Sequence, residues 1–101
     1  MFLPLDTILE PCFLRNTRYT GKPIESRVEN SAVKCQEWCQ QRARCGAFTY
    51  FTSTNFEKIF RKLCMLMENV DKVSHPYDMV SGPKYCPSKY SIKLLYDSCI
   101  P

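Results

Sequence analysis

Seven cysteines, Cys12, Cys35, Cys39, Cys45, Cys64, Cys86 and Cys99, stand in a chain of 101 residues, and they restrict its fold more than any other feature. A chain this short forms one domain and buries only roughly 65% of the surface it exposes when unfolded, so its core alone leaves it marginally stable. Small domains of oxidising compartments make up that deficit with disulfides, which points to a secreted or extracellular setting. Two other uses of cysteine compete, and both fit poorly. Zinc sites draw on paired Cys knuckles with His nearby, whereas Cys35-x3-Cys39 has no second knuckle and the only histidine is His75. Thiol redox chemistry calls for Cys-x-x-Cys at a helix start, and a nucleophilic cysteine needs a base. His75 lies in "KVSHPYD", a Pro-containing stretch that reads as a surface loop. No Gly-rich phosphate loop, Ser-centred elbow or paired-carboxylate pattern occurs, so the reading is a non-catalytic protein with no cofactor and no metal.

Asn30 and Ser31 are helix-capping residues at the head of a segment with helical periodicity. At 100° per residue Ala32, Cys35, Trp38 and Cys39 share one face, and Lys34, Gln36, Glu37, Gln40 and Gln41 the other. This predicts a short amphipathic helix ending near Ala43, with Trp38 in the core. After Cys45 the pattern becomes alternation: Phe48 and Tyr50 on one side, Ala47, Thr49 and Phe51 on the other, in strand-favouring residues. A second strand is predicted over Leu63 to Met67, two more around a Thr20-Gly21-Lys22-Pro23 turn, and a last one ending at Gly82-Pro83. One helix with antiparallel strands means α+β.

Cys35 and Cys39, one helical turn apart, do not satisfy disulfide geometry with each other. Cys39 to Cys45 closes a small loop past the helix end, Cys35 reaches the strand at Cys64, and Cys12 pairs with Cys86. This nested order is the pairing adopted. By loop entropy the Cys12 to Cys86 closure contributes about 4 kcal/mol. Cys99 is left over. The run Ile8-Leu9-Glu10-Pro11-Cys12-Phe13 matches Leu95-Tyr96-Asp97-Ser98-Cys99-Ile100 in character, so Cys99 reads as the first cysteine of a further copy, with an interchain bridge as the other possibility. The expected division is a linker over 1–11, the domain over 12–86, and a linker with the start of a following repeat over 87–101. Pro4 and Asp6 interrupt the apolar run a signal peptide needs, and no segment approaches transmembrane length, so the chain reads as a mature piece that does not insert in a membrane.

The net charge of +4 is unevenly spread: between Cys12 and Cys64 ten Lys or Arg stand against four Glu. Such a surface attracts anionic partners, which outside the cell are sulfated or sialylated glycans and not nucleic acid. The candidate site is the loop after Phe51, where Lys58, Arg61 and Lys62 stand beside Phe56 and Phe60: cations for sulfate or carboxylate, a ring to stack on a sugar. The simpler account has the phenylalanines folded into the core and the cations merely solvated.

The stretch "SAVKCQEWCQQRARCGAFTYF", with "CMLM" and the terminal "SGPKYC", resembles the PAN/apple family over Cys12 to Cys86. The resemblance implies a five-stranded antiparallel sheet packed on one helix, with Cys35/Cys64 and Cys39/Cys45 as core staples. The further Cys12/Cys86 bridge is the mark of apple domains. It also implies a module that binds protein or carbohydrate. Apple domains occur in tandem in contact-system protease zymogens and in microneme adhesins of apicomplexan parasites, and this chain looks more like the adhesins, of the Eimeria type. The expectation is therefore a secreted adhesion module, stored in micronemes before release, that binds a host-cell surface glycan or protein receptor as one unit among other apple repeats. The alternative is a protein-docking or dimerisation domain of a secreted zymogen.

Overall fold

The structure is a computed structural model that describes residues 12–87. The proposed linkers at both ends, the repeated motif and Cys99 lie outside the described residues, except for Cys12, Phe13 and Pro87.

Helix α1 spans Ala32–Gln40. Ser31 caps it from an extended backbone, its Oγ accepting from the Lys34 N–H at 3.1 Å. The helix stops three residues before the expected end. Three tight bonds close it, Gln41 N–H to the Trp38 carbonyl, Arg42 to Cys39 and Cys45 to Arg42, each at 3.0 Å. They turn the chain so that Cys45 comes back against Cys39, to which it is disulfide-bonded. Cys35, Trp38 and Cys39 are buried, as their shared stripe requires.

Seven strands follow one another among the described residues: β1 (Leu14–Arg15), β2 (Arg18–Thr20), β3 (Pro23–Val28), β4 (Ala47–Phe51), β5 (Leu63–Met67), β6 (Lys72–Ser74) and β7 (Met79–Pro83). Five form an antiparallel sheet in the order β1-β7-β4-β5-β3, and β2 pairs with β6 in a small second sheet. Where two strands were expected around Gly21 there are three, and the two flanking the turn belong to different sheets. The crossing is tight: a Cβ on Gly21 would come within 1.7 Å of the Asn69 carbonyl oxygen, so only glycine fits there.

β4 lies at the centre and all five of its residues are buried. On one face Phe48 and Tyr50 join Cys64 and Leu66 of β5 under α1, forming the core with Cys35, Trp38, Cys39 and Cys45. On the other, Thr49 and Ser81 lie opposite one another and are covered by β2. Their hydroxyls, 2.7 Å apart, bond the backbone of the segment above: Ser81 donates to the Thr17 carbonyl at 2.8 Å, and Thr49 accepts the Tyr19 N–H at 2.9 Å. Buried hydroxyls are thereby satisfied by the small sheet.

Three disulfides hold these layers: Cys12–Cys86, Cys35–Cys64 and Cys39–Cys45, with Cα separations of 5.5, 5.4 and 5.3 Å. Cys35–Cys64 pins the helix to β5 inside the core, where both cysteines are fully buried. Cys12–Cys86 brings the two ends of the described chain together. No helix among the described residues is long and apolar enough to cross a membrane.

Candidate functional site

The segment from Thr52 to Lys62 joins β4 to β5. Such a loop has to satisfy its own backbone groups, and here Asp78 and Asn55 do much of that. The Asp78 carbonyl accepts from the Thr52 N–H at 3.0 Å and the Thr52 hydroxyl at 3.2 Å, while its carboxylate accepts from the Thr54 hydroxyl at 3.0 Å. Asp78 holds a left-handed backbone, φ 62°, and its N–H reaches Asn16 Oδ1 at 3.3 Å. Asn55 is 5% exposed. Its Oδ1 accepts the Glu57 N–H at 2.9 Å, and its carbonyl accepts Arg61 Nε at 2.7 Å. Between these anchors Lys58–Phe60 make one 3-10 turn. The loop ends at Lys62, also left-handed at φ 66°, whose backbone bridges Phe51 and Glu29 at 2.7 and 2.9 Å.

The anchoring leaves apolar groups in water. Phe56 is 86% exposed, Ile59 80%, and Tyr77, next to Asp78, 83%. Phe60 behaves differently from Phe56: its ring packs on Phe51, centroids 5.4 Å apart. The simpler account, with both rings folded into the core, therefore fails for Phe56, and Phe60, still 38% exposed, leans on Phe51 at the surface and is not part of the core. Lys58, Arg61 and Lys62 are all exposed, with Arg61 turned back onto Asn55. A fourth cation joins them from β2. The Arg18 guanidinium lies 5.8 Å from the Phe51 ring centroid, on the ring that Phe60 also contacts. Arg18, Ile59 and Tyr77 escaped sequence reasoning. The two apolar residues carried a signal, being large side chains in stretches with no strand or helix partner for them, but Arg18 carried none.

Charge pairing divides the cations between Cys12 and Cys64 into two sets. Five of the ten cations between Cys12 and Cys64 have carboxylate partners: Lys22 and Arg44 with Glu68, Arg27 with Glu29, Lys34 with Glu37, Arg42 with Glu25. Arg15, Arg18, Lys58, Arg61 and Lys62 form no salt bridge among the described residues. The paired set surrounds α1 and β3. There Arg27 and Arg42 also flank Trp38, with guanidinium carbons 4.0 and 5.6 Å from its ring. Trp38 is 2% exposed, so it serves packing.

A cleft between β2 and β5, lined by Arg18, Tyr19, Pro23 and Met65 among others, has a volume near 40 Å³, room for a water molecule and not for a sugar ring. Among the described residues no three His, Cys, Asp or Glu side chains gather in a metal-binding cluster. His75 is exposed.

The protein-family model of the PAN domain matches residues 12–91 of this chain. Among solved structures, the chain is similar to the solution structure of a PAN module from Eimeria tenella, at 26% identity and a TM-score of 0.54, over 75% of this chain and 81% of that one. A search of curated proteins gives no match.

Proposed function

This chain belongs to the PAN domain family, and on that premise we propose that it is a non-catalytic extracellular recognition module whose β4–β5 loop binds an anionic, sulfated or sialylated glycan on a host-cell surface. Among the described residues the helix, five-stranded antiparallel sheet and three disulfides are the PAN/apple arrangement, and the covalent staples fit a secreted or extracellular protein. The observation that carries the reading is the segregation of charge. Cations without carboxylate partners among the described residues, Arg18, Lys58, Arg61 and Lys62, collect around the connection that also displays Phe56 and Ile59 to solvent. Unpaired cations set the long-range attraction to an anion, and an exposed ring offers a face to an apolar sugar surface. Further copies on one chain would raise the avidity of a weak single patch. Storage in micronemes and a place in a tandem array belong to the same proposal, by resemblance to parasite adhesins.

The test is retention on immobilised heparin. Lys58→Glu with Lys62→Glu is expected to lower the eluting salt concentration well below that of Lys22→Glu with Lys34→Glu, which changes the net charge equally but on the side where cations are already paired. Phe56→Ala is expected to reduce retention as well, while leaving thermal stability within about 0.5 kcal/mol, since the side chain packs on little. Equal losses from the two charge pairs would show that only total charge matters and would refute the site.

A further inference from the structure

β3 is the last strand of the five-stranded sheet, six residues long, and no described residue pairs with its outer side. We propose that this edge pairs with the β3 edge of a second copy of the chain, antiparallel, about a twofold axis through Ser26. The argument starts from the backbone. Glu29 donates its N–H to Lys62, and β3 pairs with β5 in the continuous register Glu25↔Leu66, Ser26↔Met65, Arg27↔Cys64 and Val28↔Leu63. Antiparallel alternation then assigns the N–H and C=O groups of Glu25 and Arg27 to β5 and turns those of Ser26 and Val28 outward. Pro23, which has no N–H, stands only at the first position of the strand, where it does not interrupt an edge.

A twofold through Ser26 uses the outward groups. Ser26 of each copy exchanges both backbone bonds with the other, and Val28, 64% exposed, is laid against the opposite strand. The same axis sets Glu25 directly across from Arg27 of the second copy, twice, at the closely spaced positions between bonded pairs. Within one copy Glu25 already meets Arg42 at 2.7 Å and Arg27 meets Glu29 at 2.5 Å. Across the axis these become a row of alternating sign, Arg42, Glu25, Arg27 and Glu29. Moving the axis by one residue sets Arg27 against Arg27 or Glu25 against Glu25, so the charges that guard this edge against other strands admit this self-pairing. The opposite edge, β1, has only two residues. The described ends meet beside that opposite edge, at Cys12–Cys86, away from β3.

The pair is small and therefore weak and concentration-dependent. It is independent of the reading given to the β4–β5 loop. Sedimentation equilibrium on the full chain carrying Cys99→Ser, so that no disulfide through that thiol can substitute, is expected to show a dimer building up from micromolar to millimolar protein. Amide exchange at Ser26 and Val28 slows over the same range. Ser26→Pro removes the outward N–H without touching the β5 ladder, and is expected to weaken the dimer by about tenfold or more through loss of the two central bonds. Glu25→Arg weakens it too, and adding Arg27→Glu restores it by reversing both signs. Circular dichroism and disulfide mapping check that each variant is folded. A folded protein that stays monomeric at millimolar concentration, or a dimer unaffected by Ser26→Pro, overturns the proposal.

Discussion

Removing the Cys12–Cys86 bridge by Cys12→Ala with Cys86→Ala separates covalent from non-covalent stability in this domain. The bridge spans 74 positions of sequence. In the chain-entropy account, closing a loop of that length restricts the unfolded chain by about 4.4 kcal/mol at 25 °C, against about 2.2 kcal/mol for the six-position Cys39–Cys45 loop. Cys12 and Cys86 are only half-buried, and the bridge takes part in few local interactions: the Cys12 N–H donates to the Cys86 sulfur at 3.1 Å, and the Gln36 amide to the same sulfur at 3.5 Å. The effect therefore works through the unfolded state, unlike removal of the fully buried Cys35–Cys64 pair, where a packing defect adds to it. Stability of a domain this size lies at the low end of about 5–15 kcal/mol, so the variant is expected to lose about half of it or more and to sit close to unfolding at physiological temperature. Urea titration followed by tryptophan fluorescence gives the readout, Trp38 being the single tryptophan. The midpoint falls and the slope rises, because the unfolded chain expands when its ends are released. A loss below about 1 kcal/mol with an unchanged slope would refute the entropic account and place the stability in the core.

Two further predictions rest on single residues. A Cβ on Gly82 would stand 2.9 Å from Phe13 and 3.0 Å from Phe48, rings that pack edge to face at 5.2 Å, so Gly82→Ala should cost about 1–3 kcal/mol in thermal or urea unfolding; a neutral result would mean that Phe13 yields freely. Burial, and then the Glu29 charge, hold the Tyr50 phenol above the ordinary tyrosine value of 10.0, and its hydroxyl donates to the Glu29 carbonyl at 2.9 Å. The folded state thus keeps a proton that the unfolded chain releases more readily. Tyr50's contribution is complete below pH 10.0 and is lost as pH rises above it, toward the folded value. Tyr50→Phe should lower the melting temperature at neutral pH yet flatten its fall above pH 10.0, and parallel curves for both proteins would disprove the assignment.

What the sequence revealed, and what it hid, follows from the range of the interactions involved. The helix was legible because Cys35, Trp38 and Cys39 mark its buried stripe. Strands β4, β5 and β7 were legible because their apolar residues cluster between turn signals. The β2–β6 layer was not: Lys72–Ser74 is exposed throughout and three residues long, too short for any alternation to register. Its absence concealed the reason Thr49 is buried, since a threonine opposite Phe48 reads as a solvent face until a backbone segment is laid over it. The candidate loop was found from its composition, but its meaning depends on pairings that only the tertiary structure creates. Arg42 finds Glu25 and Arg44 finds Glu68 across the fold, and their neutralisation is what sets Lys58 and Lys62 apart. Arg18 could not be assigned to that surface before β2 had a place.

The meeting of Cys12 and Cys86 has a mechanical consequence. Tension applied where the chain enters and leaves the domain passes directly through one sulfur–sulfur link, and the hydrogen-bonded strands between those points carry none of it. While the link is intact the domain cannot be unravelled from its ends or lengthen appreciably under tension. A surface held by a module of this kind would then be released by dissociation of the ligand and not by extension of the protein.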